Sequence, residues 1–392
     1  MTVRLDDTTA AQVSTAIDQE RFRQGSSAVG RVLTLVIVAD EATQADAVRS
    51  AAEAAREHPS RILVAIPRPG RGPARLDAEV SVGGVDGLGE LAELRLRGPL
   101  AHHAASVVLP LLVPDAPVVV WWPSRAPDVP SDDPVGRLAQ RRITDSGQGP
   151  RPLKDLDQRR HGDRAGDTDL AWTRLTPWRA LLASALDQPT DPVVSASVSF
   201  QRHNPSGVLL AAWLQRGLGV PVDTHTSRGP GITAVTLRTG HGDIVVNRAD
   251  GRIARMTRPG YPVREAPLKR RSLEALIAEE LRRLDPDEVY GETLSELPRV
   301  QGFVAAPAPS RGGTFRQPDD DGADGTDLSS GASRRTASAP TTKAPAQKKA
   351  AKKTAATTAR AKKVAAQPAK KTAATKPSSP RTGARTTSKA PR

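Results

Sequence analysis

Two continuous apolar runs near the start of the chain constrain its fold more than any other feature. They read LTLVIVA at residues 33–39 and RILVAI at residues 61–66. Runs without alternation are typical of parallel strands that are buried on both faces of a sheet. The segment between them is rich in alanine, has the length of one helix and stops at Pro59. Residues 31–66 therefore predict one strand–helix–strand unit.

The rest of the first 145 residues supplies the other elements of a mixed sheet. Strands are predicted at residues 75–82, 90–97 and 118–122, and a helix at about 102–112. Between the first two of these strands lies GGVDGLG, whose glycines lack the spacing of a phosphate-binding loop and precede a strand-like segment. We interpret GGVDGLG as a hairpin turn and residues 1–145 as an N-terminal α/β domain.

A polar segment at residues 146–168 is interpreted as a linker to a C-terminal α/β domain at residues 169–304. In that domain Thr176 and Asn204 each precede a proline, which is the arrangement of a helix cap followed by the first helical residue. VVSASVSF at residues 193–200 alternates like a strand, three shorter strands follow, and two helices end the domain. The predicted fold class is α/β, with two α/β domains that contain mixed sheets and a disordered basic tail.

The tail, residues 305–392, is rich in Pro, Ala, Ser, Thr and Lys and has too little apolar surface to offset the entropy of ordering. Residues 331–392 hold 17 Lys and Arg and no acidic residue, which leaves 40 basic against 43 acidic residues in the first 330. The net charge of +14 is therefore a property of the tail. Paired lysines predict weak, non-specific nucleic acid binding, and a nucleoid-associated DNA-binding protein is the alternative function. The lysines concerned are Lys348, Lys349, Lys352, Lys353, Lys362, Lys363, Lys370 and Lys371.

Side chains that suggest catalysis are scarce. The chain has no cysteine, which excludes disulfides, thiolate metal sites and cysteine nucleophiles. It contains no phosphate-binding loop and no HExxH pair, and Ser106 lacks the GxSxG setting of a nucleophile elbow. His225 and His241, with Asp223 and Asp243 nearby, are the best remaining metal candidate. We predict no cofactor, no metal and no catalytic residue, and we favour a protein that is not an enzyme. A sugar-phosphate-binding enzyme is a further alternative, because α/β domains host many ligands.

The start of the chain and its most apolar run both bear on where in the cell the protein is found. The first residues are polar and acidic and lack the apolar core of a secretory signal. The run at residues 107–123 is interrupted by Pro110, Pro114, Asp115 and Pro117, so a spanning helix of about 20 apolar residues does not fit. We predict a cytoplasmic protein without a membrane partner.

The scarce aromatic residues are concentrated in DLAWTRLTPWR at residues 169–179. Trp172 and Trp178, two of only five tryptophans, flank Arg174 and Arg179 here. Tryptophan and arginine are enriched at the energetic centres of protein interfaces. Two more tryptophans are consecutive on a predicted strand and point to opposite faces, so one of them is free to leave the core. These residues are the predicted partner-binding set: Trp172, Arg174, Trp178, Arg179, Trp121 and Trp122.

Interior packing is the alternative for all of these tryptophans, and it is the better interpretation of Trp178. A test follows from the interface interpretation. Arg174→Ala is expected to weaken the partnership while the fold stays intact.

Four segments, in this order, carry a family resemblance: SVVLPLLVPDAPVVVWWP, DLAWTRLTPWRALL, NPSGVLLAAWL and LEALIAEELRRLDPDEVYGETL. Together they resemble the glucose-6-phosphate dehydrogenase assembly protein (OpcA) family of actinobacteria and cyanobacteria, over about residues 5–300. The resemblance implies a non-catalytic assembly factor and allosteric activator that binds glucose-6-phosphate dehydrogenase and favours its active oligomer, in the oxidative pentose phosphate pathway. Any NADP would belong to the partner enzyme. Redox control through cysteines, implied for cyanobacterial relatives, does not carry over because this chain has none.

Overall fold

Two β-sheets and the helices around them organise the computed structural model, which describes residues 2–24, 32–83, 89–187 and 191–303. The mixed α/β fold predicted from the sequence is confirmed over these ranges. The predicted tail, with its eight candidate lysines, lies outside the described residues.

The larger sheet is built from the first half of the chain. Its strands are β1 (Thr2–Leu5), β2 (Leu33–Val38), β3 (Ser60–Arg68), β4 (Arg75–Val82), β5 (Glu90–Arg97), β6 (Val118–Trp121), β7 (Arg141–Thr144) and β8 (Asp167–Asp169). Across the sheet they lie in the order β1-β4-β5-β3-β2-β6-β7-β8. β4 is antiparallel to both of its neighbours, whereas the strands from β5 to β8 are parallel to one another. The chain leaves β2 on one side for β3 and later returns on the other side for β6, so the sheet has a topological switch point there.

The described helices follow the signals read from the sequence in most places. They are α1 (Ala10–Arg23), α2 (Gln44–Ala54), α3 (Ala104–Val108), α4 (Pro152–Gly162), α5 (Leu170–Thr173), α6 (Thr176–Leu186), α7 (Pro205–Leu218), α8 (Leu273–Arg282) and α9 (Glu288–Glu296). The cap predicted at Asn204 is confirmed, because its side chain accepts from the Gly207 N–H, whereas the cap predicted at Thr176 is wrong, because the helix begins at Thr176 itself, after Leu175. The unit β2–α2–β3 is the predicted strand–helix–strand unit. The helix predicted at 102–112 is wrong in extent, because α3 is only one turn between 3₁₀ turns at Gly98–His102 and Leu109–Leu111. Pro110 in the second turn has no N–H with which to continue a helix.

The smaller sheet is formed by β9 (Val193–Gln201), β10 (Val222–Ser227), β11 (Ile232–Thr239), β12 (Gly242–Asn247), β13 (Ile253–Arg258) and β14 (Tyr261–Pro267). Their spatial order is β10-β9-β11-β12-β13-β14. β9 and β10 are parallel and are connected through α7, and the other pairs are antiparallel. The meander β11–β12–β13 was predicted, whereas β10 and β14 were not.

The apolar runs of the larger sheet are continuous because its two faces pack on different layers. Leu35 and Ile37 face a core cluster that includes α2 and α8, and Val36 faces a second cluster that includes α1 and α3. One face of the smaller sheet packs on α6, α7 and α9 in a third cluster. α8, which comes late in the chain, thus completes a layer over strands that come early.

The segment predicted as a linker, residues 146–168, contains regular structure. It includes α4, and β8 begins at Asp167 and pairs with β7 at the edge of the larger sheet. A buried ion pair between Arg142 and Asp167 joins these two strands. The domain boundaries at 145 and 169 stay predictions.

Two further sequence interpretations concern short or apolar segments. Residues 84–88 of GGVDGLG lie outside the described residues, but the strands on either side pair antiparallel, with Val82 opposite Glu90. Among the described helices, none has the length and apolar character needed to cross a membrane.

Candidate functional site

A crevice lies beyond the carboxyl ends of three parallel strands, which is where open α/β sheets commonly bind ligands. The loops after β6, β7 and β8 enclose about 470 Å³. Ser124 and Arg125 come from the first loop and Asp145 from the second, and Asp169 is the last residue of β8. Basic and acidic groups are mixed along the walls, since Arg151 and Arg159 line the crevice together with four aspartates, which include Asp128 and Asp155.

Asp169 holds the crevice floor together. Its carboxylate is fully buried and accepts hydrogen bonds from Thr144 Oγ1 at 2.6 Å and from Ser146 Oγ at 2.5 Å. It also accepts from the backbone N–H groups of Ser146 at 2.9 Å and Ala171 at 2.8 Å, and so caps α5. The first residue of DLAWTRLTPWR therefore fixes the end of β7 to the start of a helix.

Asp145 and Arg174 form a bidentate pair beside this floor. Arg174 Nη1 and Nη2 donate to the two carboxylate oxygens of Asp145 at 2.8 and 2.7 Å. Burial raises the pKa of Asp145, although the hydrogen bonds and charge of Arg174 act to lower it. Burial lowers the pKa of Arg174, but the hydrogen bond and charge of Asp145 outweigh this and raise it. Arg174 therefore has a partner within its own chain.

Trp172 lies in the interior, so the prediction that it is exposed at an interface is wrong. Its ring is 1% exposed, its Nε1 donates to Asp287 Oδ2 at 2.8 Å, and Tyr290 packs against it with ring centroids 5.8 Å apart. The guanidinium carbon of Arg179 lies 3.8 Å from the indole centroid. The tryptophan–arginine contact exists, but it is made within the fold, where an arginine shields the ring.

The other predicted aromatic contacts are internal as well. Trp121 and Trp122 point to opposite faces of the larger sheet as expected, but both are buried, in different core clusters. The expectation that one of them leaves the core is therefore wrong. Trp178 is buried in the core beneath the smaller sheet, in agreement with the alternative interpretation, and Arg248 lies 5.1 Å from its centroid.

A buried pair that the sequence did not reveal connects α8 to the larger sheet. Arg141 on β7 forms an ion pair with Glu280 on α8, and both side chains are almost fully buried. Thr173 Oγ1 donates to the same carboxylate at 2.5 Å. The partners are 139 positions apart, so no local pattern could have joined them. The available signal was a glutamate at helical spacing from Leu276 and Ile277.

The proposed metal candidates do not converge. His225 and His241 lie on β10 and in the β11–β12 turn, and His241 Nδ1 contacts Asp191 at an exposed position. Within the ranges given above, no group of three or more metal-ligating side chains occurs.

On one face of the smaller sheet the central side chains belong to none of the core clusters, and we call this face the open face. Strand alternation places Val198, Val235 and Val246 on the packed side, and their neighbours on the opposite side. Ser197 lies opposite Thr236, which lies opposite Val245, and all three are partly exposed. The central residues of the open face are small and uncharged: Ser195, Ser197, Ser199, Ala234, Thr236, Val245 and Thr257. Charged residues such as Arg255 and Glu265 pair at its edge, at 2.8 Å.

Two family models match the chain in succession. The model described as the glucose-6-phosphate dehydrogenase subunit N-terminal domain matches residues 51–161, and the one described as the C-terminal domain matches residues 165–294. The chain belongs to the glucose-6-phosphate dehydrogenase assembly protein (OpcA) family. The resemblance read from the sequence is confirmed, and the family supports an assembly role associated with glucose-6-phosphate dehydrogenase, as a subunit distinct from a catalytic one. Neither model extends into residues 305–392.

Solved structures resemble the fold only distantly. The 3-ketoreductase KijD10 from Actinomadura kijaniata, in complex with NADP and TDP-benzene, is 11% identical, with 69% of this chain and 97% of that chain covered and a TM-score of 0.40. The dehydrogenase MviM from Clostridium difficile is 7% identical, with 68% and 96% covered and a TM-score of 0.38. No curated protein matches the sequence. Likenesses this remote carry no functional argument.

Proposed function

We propose that this chain is a non-catalytic assembly factor and allosteric activator of glucose-6-phosphate dehydrogenase. The observation that carries the proposal is the match of both family models, in order, over residues 51–294. A role in the oxidative pentose phosphate pathway follows from the partner enzyme. We propose that the complex forms in the cytoplasm.

Two of the acidic groups in the crevice have a structural use. The Asp145 carboxylate is held by both terminal nitrogens of Arg174, and the Asp169 carboxylate accepts from two hydroxyl groups and two backbone N–H groups. A general base needs a lone pair directed at a substrate proton. Both carboxylates are instead saturated by groups of the protein itself, as expected for a scaffold.

We propose that the open face of the smaller sheet is the docking surface for the dehydrogenase. Six strands about 4.8 Å apart, each of about six to nine residues at 3.3 Å per residue, give an area of roughly 600 to 800 Å². A standard protein interface buries about 800 Å² per partner. Because the central side chains are short, they lose little rotamer entropy on binding, and because they are uncharged, no ion must be desolvated at the centre of the surface.

Activation requires only that the surface prefers the active quaternary state of the enzyme. A ligand shifts an equilibrium by its differential affinity for the two states. A tenfold rise of a small active fraction takes about 1.4 kcal/mol of preference. A few contacts of the open face that exist only in the active oligomer supply this amount.

The test combines the purified chain with its cognate dehydrogenase and follows NADPH formation and oligomer size. We expect a higher rate or a larger active oligomer at micromolar concentration. If rate, substrate affinity and assembly are all unchanged, the proposed function is wrong.

A second experiment tests the docking surface separately. Ser197→Arg and Thr236→Arg each place a long cation in the centre of the open face, and we expect them to reduce binding at least tenfold. Thr15→Arg, at an exposed position of α1, is the matched control and leaves binding unchanged. Activation that survives both open-face variants refutes this surface but not the assembly role. Sedimentation of the chain alone reports whether the open face instead pairs two copies.

A further inference from the structure

A cleft of about 470 Å³ in the C-terminal half of the chain is lined by basic side chains, and no carboxylate lines it. Its walls are the start of α7, the β10–β11 and β12–β13 loops, and the segment after β14. Six cationic residues line it: Arg174, Arg202, Arg248, Lys269, Arg270 and Arg271. We call it the basic cleft. A cavity of this size is in the range of about 300 to 1,000 Å³ typical of small-molecule sites.

Most of this positive charge is not neutralised within the described part of the chain. Arg174 is paired with Asp145, and Arg271 forms an ion pair with Glu279. The other four cationic residues form no ion pair with a described carboxylate. Three of them, Arg202, Lys269 and Arg270, are exposed at the cleft. The basic cleft thus concentrates positive charge in a half of the molecule where a dissolved anion can reach it.

The cationic side chain of Arg248 is held in place in the cleft, because it is buried and donates to backbone carbonyl groups. Its Nη1 donates to the Leu268 carbonyl at 2.8 Å and its Nη2 to the Ile232 and Pro230 carbonyls at 2.6 and 3.3 Å, and its Nε donates to the Ile232 carbonyl at 3.2 Å. Burial lowers its pKa, the charge of Asp250 opposes this, and the nearby positive charge of Arg270 lowers it further. Burying a cation without a carboxylate partner is costly, and an anion bound in the cleft would offset that cost.

We propose that the basic cleft binds a small phosphorylated molecule, with its phosphate group held by Arg202 and Arg270 and attracted by the buried charge of Arg248. Guanidinium groups match the oxygens of phosphate and carboxylate alike, but several cations at one site favour a phosphate ester, which carries up to two negative charges, over a singly charged carboxylate. Apolar atoms of Trp178 and Ile232 line the same cavity and provide a wall for an organic portion. The ligand class is therefore an organic phosphate ester, such as a sugar phosphate or a nucleotide. This inference does not depend on the proposed function.

Thermal unfolding of the full chain tests the site, with glucose 6-phosphate, AMP and inorganic phosphate as separate probes. The lysine-rich tail also attracts anions, but only binding at a site that requires the folded state raises the melting temperature. We expect a saturating rise at millimolar organic phosphate and a smaller one with inorganic phosphate. Equal rises for all three probes support a site for the phosphate group alone. No rise with any probe overturns the proposal.

Variants locate the binding. Arg202 and Arg270 are exposed, so Arg202→Ala and Arg270→Ala are expected to fold normally. Each removes a charge-assisted hydrogen bond and should weaken probe binding about tenfold in titration calorimetry. Arg137→Ala, which removes one exposed positive charge elsewhere, is the control and leaves the affinity unchanged. Heat from the tail is common to all these proteins. Equal affinities for the control and both cleft variants would place the binding outside the cleft and refute the proposal.

Discussion

Replacing Arg174 with Met should destabilise the fold rather than disturb a binding surface. The change leaves the carboxylate of Asp145, which is 3% exposed, without its bidentate partner. Breaking a buried ion pair by removing one member typically costs about 3 to 5 kcal/mol. The earlier expectation that Arg174→Ala leaves the fold intact is therefore replaced by one of reduced stability.

The magnitude has an upper limit that depends on pH. The penalty of the unpaired charge cannot exceed the cost of neutralising it, which is 1.36 kcal/mol for each pH unit above the ordinary pKa of 3.8. That limit is about 4.4 kcal/mol at pH 7 and about 1.6 kcal/mol at pH 5. Removing Arg174 also removes an influence that lowers the pKa of Asp145, so the folded-state pKa rises further. A group with a raised folded-state pKa contributes stability below its unfolded-state pKa, and this contribution is lost as the pH rises through the folded-state pKa. The free energy of unfolding of the variant therefore approaches that of the wild type at acidic pH.

Urea unfolding followed by circular dichroism at pH 7 and pH 5 measures the loss of unfolding free energy at each pH. Arg174→Met combined with Asp145→Asn removes the charge and should recover most of the loss at pH 7. Arg216→Ala breaks an exposed pair with Glu292 and serves as the control, with a cost below about 1 kcal/mol. A loss for Arg174→Met that is below about 1 kcal/mol at pH 7, or equal at both pH values, would refute the reasoning.

Three further predictions concern the same half of the fold. Trp172→Phe deprives Asp287 of the indole N–H at 2.8 Å and should lower the unfolding free energy by about 1 to 3 kcal/mol, and an unchanged urea midpoint would contradict this. Burial raises the pKa of Asp163 from 3.8 to about 6, so its stabilising contribution is lost between pH 4 and 7, and Asp163→Asn should flatten that part of the stability profile. A Cβ atom on Gly207 would meet the Phe200 ring at 2.2 Å, so Gly207→Ala should cost about 1 to 3 kcal/mol, which a thermal melt equal to wild type would disprove.

Sequence patterns predicted the elements whose burial is uniform along the chain. The run at residues 33–39 was recognisable because Val36 and its neighbours are buried on both sides of a parallel sheet. β8 was missed because it is only three residues long and polar, and Asp167 is stabilised there by pairing with Arg142 rather than by apolar burial. β14 was missed because its residues are nearly all exposed and include two prolines.

The candidate site was only partly predictable, for a different reason. Residue type indicated that Trp172 and Arg179 matter, but not where they lie. The indole N–H reaches Asp287, 115 positions away, and that long-range contact is what makes burial of the ring favourable. The basic cleft was also absent from the sequence prediction, because Arg202, Arg248 and Arg270 are brought together only by the sheet.

The position of α8 has a consequence for synthesis on the ribosome. Leu276 and Ile277 cover the same strands that Ala47 and Ala51 of α2 contact, but they are translated more than two hundred codons later. At about 5 to 20 residues per second, a nascent chain leaves that layer bare to solvent for on the order of ten to fifty seconds. We therefore expect the emerging chain to present an apolar surface to chaperones until α8 has left the exit tunnel.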